Sequence, residues 1–99
     1  MEVTQDQLKT LKWAAGEAYI EPEDIRDDYS GRFMFGSRCF GIVVDSEAQM
    51  LDFLKELRAE DEELCEEVGT GVKSDSMATR VIYYWEHVGT NGVEVEEQA

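Results

Sequence analysis

"RDDYSGRFMFGSRCFGIVVD", residues 26 to 45, sets three arginines, three glycines and four aromatic residues inside a chain of formal net charge −14. Its second half reads as a strand, because Phe40, Ile42 and Val44 alternate onto one face and Asp45-Ser46 ends the run. Arg32 to Phe35 and Arg38 to Val44 are both β-prone, with Gly36-Ser37 between them. Glycine at the first central position meets the backbone demand of a type II′ turn, so the stretch predicts a β-hairpin over 32–44. Gly41 leaves room for a close neighbour on the face opposite Phe40 and Ile42. Just upstream, "EPEDIRDDY" (21–29) carries Pro22 where a missing amide donor costs little. That segment predicts a turn or a one-to-two-turn helix that exposes Glu21, Glu23, Asp24, Asp27 and Asp28.

Working outward, Thr4 and Gln7 have the spacing of a capping box, and Leu8, Leu11, Ala15 and Ala18 recur at helical intervals. A helix is predicted over 5–18. Ser46 and Gln49 repeat the capping spacing, and Met50, Leu54, Leu57, Leu64 and Val68 follow one apolar register. A helix is predicted over 47–68, with a kink or pause near Asp61, because a core-facing carboxylate without a partner is costly. Gly69-Thr70-Gly71 is expected to stop it. "ATRVIYYWEHV" (78–88) is rich in β-branched and aromatic residues and predicts a strand over 79–87. Asn91-Gly92 signals a turn, and an edge strand over 92–96 follows, with a frayed terminus from about 93. The fold class is α+β: one domain over 1–99, a small antiparallel sheet, and helices mainly on one of its faces.

Composition supports a packed core, with 42% hydrophobic and 10% aromatic residues. No run approaches the length of a membrane span and no secretory pattern opens the chain, so a cytoplasmic location is expected. Cys39 and Cys65 lack further ligands at close spacing, and read as reduced, buried thiols rather than a metal site or a disulfide framework. His87 is the single histidine, and a general base needs a nucleophile and an orienting group beside it. No phosphate-binding glycine loop, zinc-protease helix or nucleophile elbow is present. The expectation is a protein with no catalytic residues, no cofactor and no metal. Direct nucleic-acid binding is disfavoured too, since affinity for phosphates comes from Lys and Arg, and these number nine against twenty-three acids.

"YSGRFMFGSRCFGIVVD" (29–45), followed by "SDSMATRVIYYW" (74–85), resembles a family of small phage, prophage, bacterial and archaeal proteins. The residues that carry the resemblance are Tyr29, Ser30, Gly31, Arg32, Met34, Phe35, Gly36 and Cys39, then Asp75 and Met77. Phe33 and Ala78 stand where the family has glycine, and Glu86 where proline often follows. The resemblance covers about a third of the chain and implies a mobile-element setting without a defined activity. In physical terms, Tyr29, Ser30, Gly31, Arg32, Gly36 and Arg38 read either as a structural motif or as an anion nest. In the structural reading the arginines pair with Asp27, Asp28, Asp45 or Asp75.

The remaining signal is the acidity. Glu56, Glu60, Glu63 and Glu67 fall at i, i+4, i+7 and i+11, and one continuous helix would place them on one face. Asp61, Glu62 and Glu66 widen that strip, and Glu23, Asp24, Asp27 and Asp28 form a second patch. Fixed carboxylates resemble a phosphate backbone electrostatically, as in phage-borne nucleic-acid mimics and some anti-CRISPR inhibitors. The leading expectation is therefore a non-enzymatic binding protein that occupies the basic nucleic-acid site of a host defence or DNA-processing protein. Two rivals stand beside it. In one, the acidity is salt adaptation and function lies in Tyr29 to Cys39. In the other, the chain is a homodimer or structural subunit with Trp85, Tyr83 and Phe33 at the contact.

Overall fold

The computed structural model describes residues 4–29, 39–77 and 79–86. Helix α1 (Gln5–Glu17) starts at Thr4, whose hydroxyl accepts from the Gln7 amide while the Gln7 side chain accepts from the Thr4 amide. A three-residue 3-10 turn (Pro22–Asp24) leads into strand β1 (Ile25–Tyr29). Strand β2 (Cys39–Val44) precedes helices α2 (Glu47–Glu60) and α3 (Glu62–Gly71), then strands β3 (Lys73–Met77) and β4 (Arg80–Glu86). The four strands form one antiparallel sheet in the order β1-β2-β4-β3. Strands β2 and β3 therefore run in the same direction with β4 between them, and the α2–α3 pair makes the crossover that such an arrangement needs. The molecule is an α+β domain, as its sequence indicated.

Phe40 pairs across from Trp85, Ile42 from Tyr83 and Val44 from Val81, and this face meets the helices. Leu8, Leu11, Ala14 and Ala15 of α1 join Met50, Phe53 and Leu57 of α2 and Leu64, Cys65 and Val68 of α3 in one core over it. At its centre the rings of Phe40, Phe53 and Trp85 lie 5.7 to 6.3 Å apart, the spacing at which aromatic pairs attract beyond their buried area. On the other face Val43, Ile82 and Tyr84 are also buried. Gly41 permits that packing, since a Cβ there would lie 3.0 Å from the Ile82 Cδ1.

Several expectations change. The turn predicted in 21–29 is present over Pro22–Asp24, but Ile25–Tyr29 is a strand that pairs with β2 on the side away from β4; the predicted arm 32–35 and the turn at 36–37 lie outside the described residues. Strand β3 is an addition that no sequence signal pointed to. Both are edge strands, and "IRDDY" and "KSDSM" are charged or polar because an edge strand has little apolar surface to match and must resist pairing with other chains. The pause expected near Asp61 is present and divides the 47–68 helix in two, but its second part runs through Gly69 to Gly71, where a stop was expected. Strand 79–87 is observed as Arg80–Glu86, while His87, the 92–96 edge strand and the terminus from 93 lie outside the described residues. No helix among the described residues is long and apolar enough to cross a membrane.

Candidate functional site

The acidic strip is not one helical face. Asp61 leaves the helical region (φ −152°, ψ 95°) and serves both neighbours. Its amide donates to the Leu57 carbonyl at 2.7 Å, closing α2, and its Oδ1 accepts from the Leu64 amide at 3.1 Å, opening α3. This is the physical answer to an acid in an apolar register: the carboxylate is consumed as a cap. Glu56 and Glu60 stay together on α2, and Glu63 and Glu67 on α3, one helical turn apart in each pair. Glu60, Glu62, Glu63, Glu66 and Glu67 are exposed and Glu56 is half-buried.

Charge is concentrated on these two helices. Glu47 to Gly71 hold nine carboxylates and two cations, half of the formal net charge, and no Lys or Arg occurs from Ala59 to Val72. Arg58 reaches Glu62 at a loose 3.9 Å. Among the described residues that is the one ion pair made by the strip, so apart from Glu62 none of its carboxylates is paired with a described Lys or Arg. Glu62 and Glu63 in the first turn of α3 favour the helix dipole, but Glu66 and Glu67 sit towards its negative end with no basic residue in the last turn. Helix stability does not explain them.

The second patch behaves differently. Glu23 is exposed, but Asp24 is bound by Arg80, whose Nη1 and Nη2 donate to Oδ1 and Oδ2 at 3.2 and 2.8 Å. Arg80 Nε also lies 2.7 Å from Asp45 Oδ1, an ionic contact that falls short of hydrogen-bond geometry. The Asp24 contacts, joined by the second carboxylate, hold the guanidinium above its ordinary pKa. Asp24 is thus a structural clamp between the 3-10 turn and the start of β4. The sequence assigns no role to Arg80 and offers Asp45 only as one of four possible partners of Arg32 and Arg38; the available signal was an arginine opening the best strand of the chain. Asp27, Asp28 and Tyr29 lie in β1, with their side chains outside the described set. Ser30, Gly31, Arg32, Gly36 and Arg38 lie outside the described residues. Trp85 is fully buried in the core and so is not available for the contact with a second copy that the sequence suggested.

No group of three or more His, Cys, Asp or Glu side chains is placed to hold a metal ion among the described residues. Cys65 is buried, with its thiol 3.2 Å from the Leu54 carbonyl, and burial pushes its pKa up, helped by Glu66 and Glu62 against Arg58. It is a structural thiol. Compared with known proteins, the chain matches no family model, no curated protein and no solved structure.

Proposed function

We propose that this chain is a non-enzymatic acidic binding protein of phage or mobile-element type, which occupies the basic nucleic-acid site of a host defence or DNA-processing protein. The observation that carries this reading is the concentration of half the net charge on α2 and α3, where Glu60, Glu62, Glu63, Glu66 and Glu67 are exposed and, among the described residues, only Glu62 meets a cation. Charge serving solvation alone would have no reason to gather there. Beneath it Leu57, Leu64, Cys65 and Val68 are set in the core and anchor the two helices that carry the carboxylates. Opposed fields would speed encounter and make binding fall steeply with salt.

The test compares the wild-type chain with a triple variant, Glu60→Lys, Glu63→Lys and Glu67→Lys, as bait in host lysate at low and high salt, read by mass spectrometry. The expected capture is a nucleic-acid-binding protein that duplex DNA competes off, that high salt releases and that the variant fails to hold while its circular dichroism stays native. Equal capture by the variant would remove the α2–α3 face from the site.

A further inference from the structure

Helix α1 ends in an arrangement that usually takes glycine. The Ile20 amide donates to the Ala15 carbonyl and the Tyr19 amide to the Gly16 carbonyl, which places Tyr19 in the left-handed region with φ 62°. The Gln49 side-chain amide reaches the Ala18 and Tyr19 carbonyls at 3.5 and 3.4 Å and ties this corner to the first turn of α2. The tyrosine side chain is 87% exposed, so it adds almost no packing to offset an unfavourable backbone. Further back on α1, Trp13 is 44% exposed, a large apolar ring left outside the core.

Each ring lines a depression where α1 and α2 pack against each other, and the two depressions together make up the α1–α2 groove. Trp13 and Glu60 line one depression of about 280 Å³, and Tyr19, Asp52 and Glu56 line a second of about 300 Å³. Lys9 belongs to the first, balancing Glu60, while Lys55 in the second faces three carboxylates, Glu17, Asp52 and Glu56, so the excess of negative charge lies beside Tyr19. Carboxylates sharing a depression with an exposed aromatic ring suit a guanidinium above other cations. It is planar, weakly hydrated, stacks on rings and forks onto carboxylates, which a compact ammonium does not do.

We infer that the α1–α2 groove is the arginine-reading part of the docking surface: Trp13 and Tyr19 stack on arginine side chains of a partner segment while Glu60, Asp52 and Glu56 take the guanidinium edges. The inference rests on the acidic-face reading and adds the chemistry of what docks. Arginine-rich segments are common in nucleic-acid sites, and charge complementarity with this surface selects them over a second copy of the chain.

The probes are oligo-arginine and oligo-lysine peptides of equal length, titrated calorimetrically and followed by tryptophan fluorescence, to which buried Trp85 contributes a fixed background. The wild type binds oligo-arginine the more tightly and its emission changes on binding. Tyr19→Gly combined with Trp13→Ala weakens oligo-arginine by about tenfold and oligo-lysine far less, and the ring-conserving pair Tyr19→Phe and Trp13→Phe retains the preference. Tyr19→Gly alone raises the melting temperature by about 5 °C while it loses affinity, which separates binding from folding. Equal losses for the two peptides, or none, overturn the groove assignment and leave the acidic face intact. Failure of both peptides to bind the wild type at low salt overturns the groove and the face together.

Discussion

Trp85→Phe tests how the acidic helix is held on the sheet. The last four carbonyls of an α-helix have no partner within it, and Val68 is among them in α3. Its carbonyl accepts from the indole Nε1 of Trp85 at 2.6 Å, inside the core. Phenylalanine keeps an aromatic ring beside Phe40 and Phe53 but removes the donor, leaving a buried acceptor unpaired at a cost of about 1–3 kcal/mol. The smaller ring also leaves a cavity, adding roughly 1 kcal/mol. The expected loss is about 2–4 kcal/mol, a large share of the roughly 5–15 kcal/mol that stabilises a domain of this size. With a melting entropy near 0.2 kcal/mol/K for such a domain, the midpoint falls by about 10–20 °C. Urea titration followed by far-ultraviolet circular dichroism measures the free-energy loss, and a thermal melt the shift in midpoint. Replacing Trp85 by benzothienylalanine in a Trp13→Phe background preserves the bicyclic ring without the N–H and isolates the hydrogen bond. A loss below about 1 kcal/mol for that analogue would refute the claim that the indole satisfies the end of α3.

Asp61→Ala should cost about 1 kcal/mol and speed amide exchange at Leu64, whereas Asp61→Asn, which keeps a capping oxygen, should stay within a few tenths of wild type. Equal losses for the two would assign the effect to charge instead. Cys65 should resist iodoacetamide in native protein and react on unfolding in urea, with peptide mapping to separate it from Cys39; fast native labelling would contradict its burial. Because its folded pKa is raised, its contribution is fully present below the unfolded thiol pKa of about 8.5 and is lost as pH climbs through the folded value. Cys65→Ala should therefore flatten part of the alkaline decline in stability, and an unchanged alkaline limb would count against this.

The sequence by itself determined the elements whose faces are strongly patterned. The Thr4 capping box, the Leu8–Leu11–Ala15 stripe, the alternation of Phe40, Ile42 and Val44, and the aromatic strand around Trp85 are local signals, each enforced by one buried face. The same holds for the acidity of α2 and α3 and the interruption at Asp61, although why an acid stood in that register became clear only from its carboxylate cap on α3. Tertiary structure decided the rest. Edge strands β1 and β3 carry little apolar pattern, since only their neighbours β2 and β4 make them strands. Arg80 meets Asp24 across fifty-six positions of chain, a pairing that no local rule could select among so many carboxylates. The groove holding Trp13, Tyr19 and Glu60 exists because α1 and α2 pack antiparallel, and spacing along the chain does not encode which exposed ring faces which carboxylate.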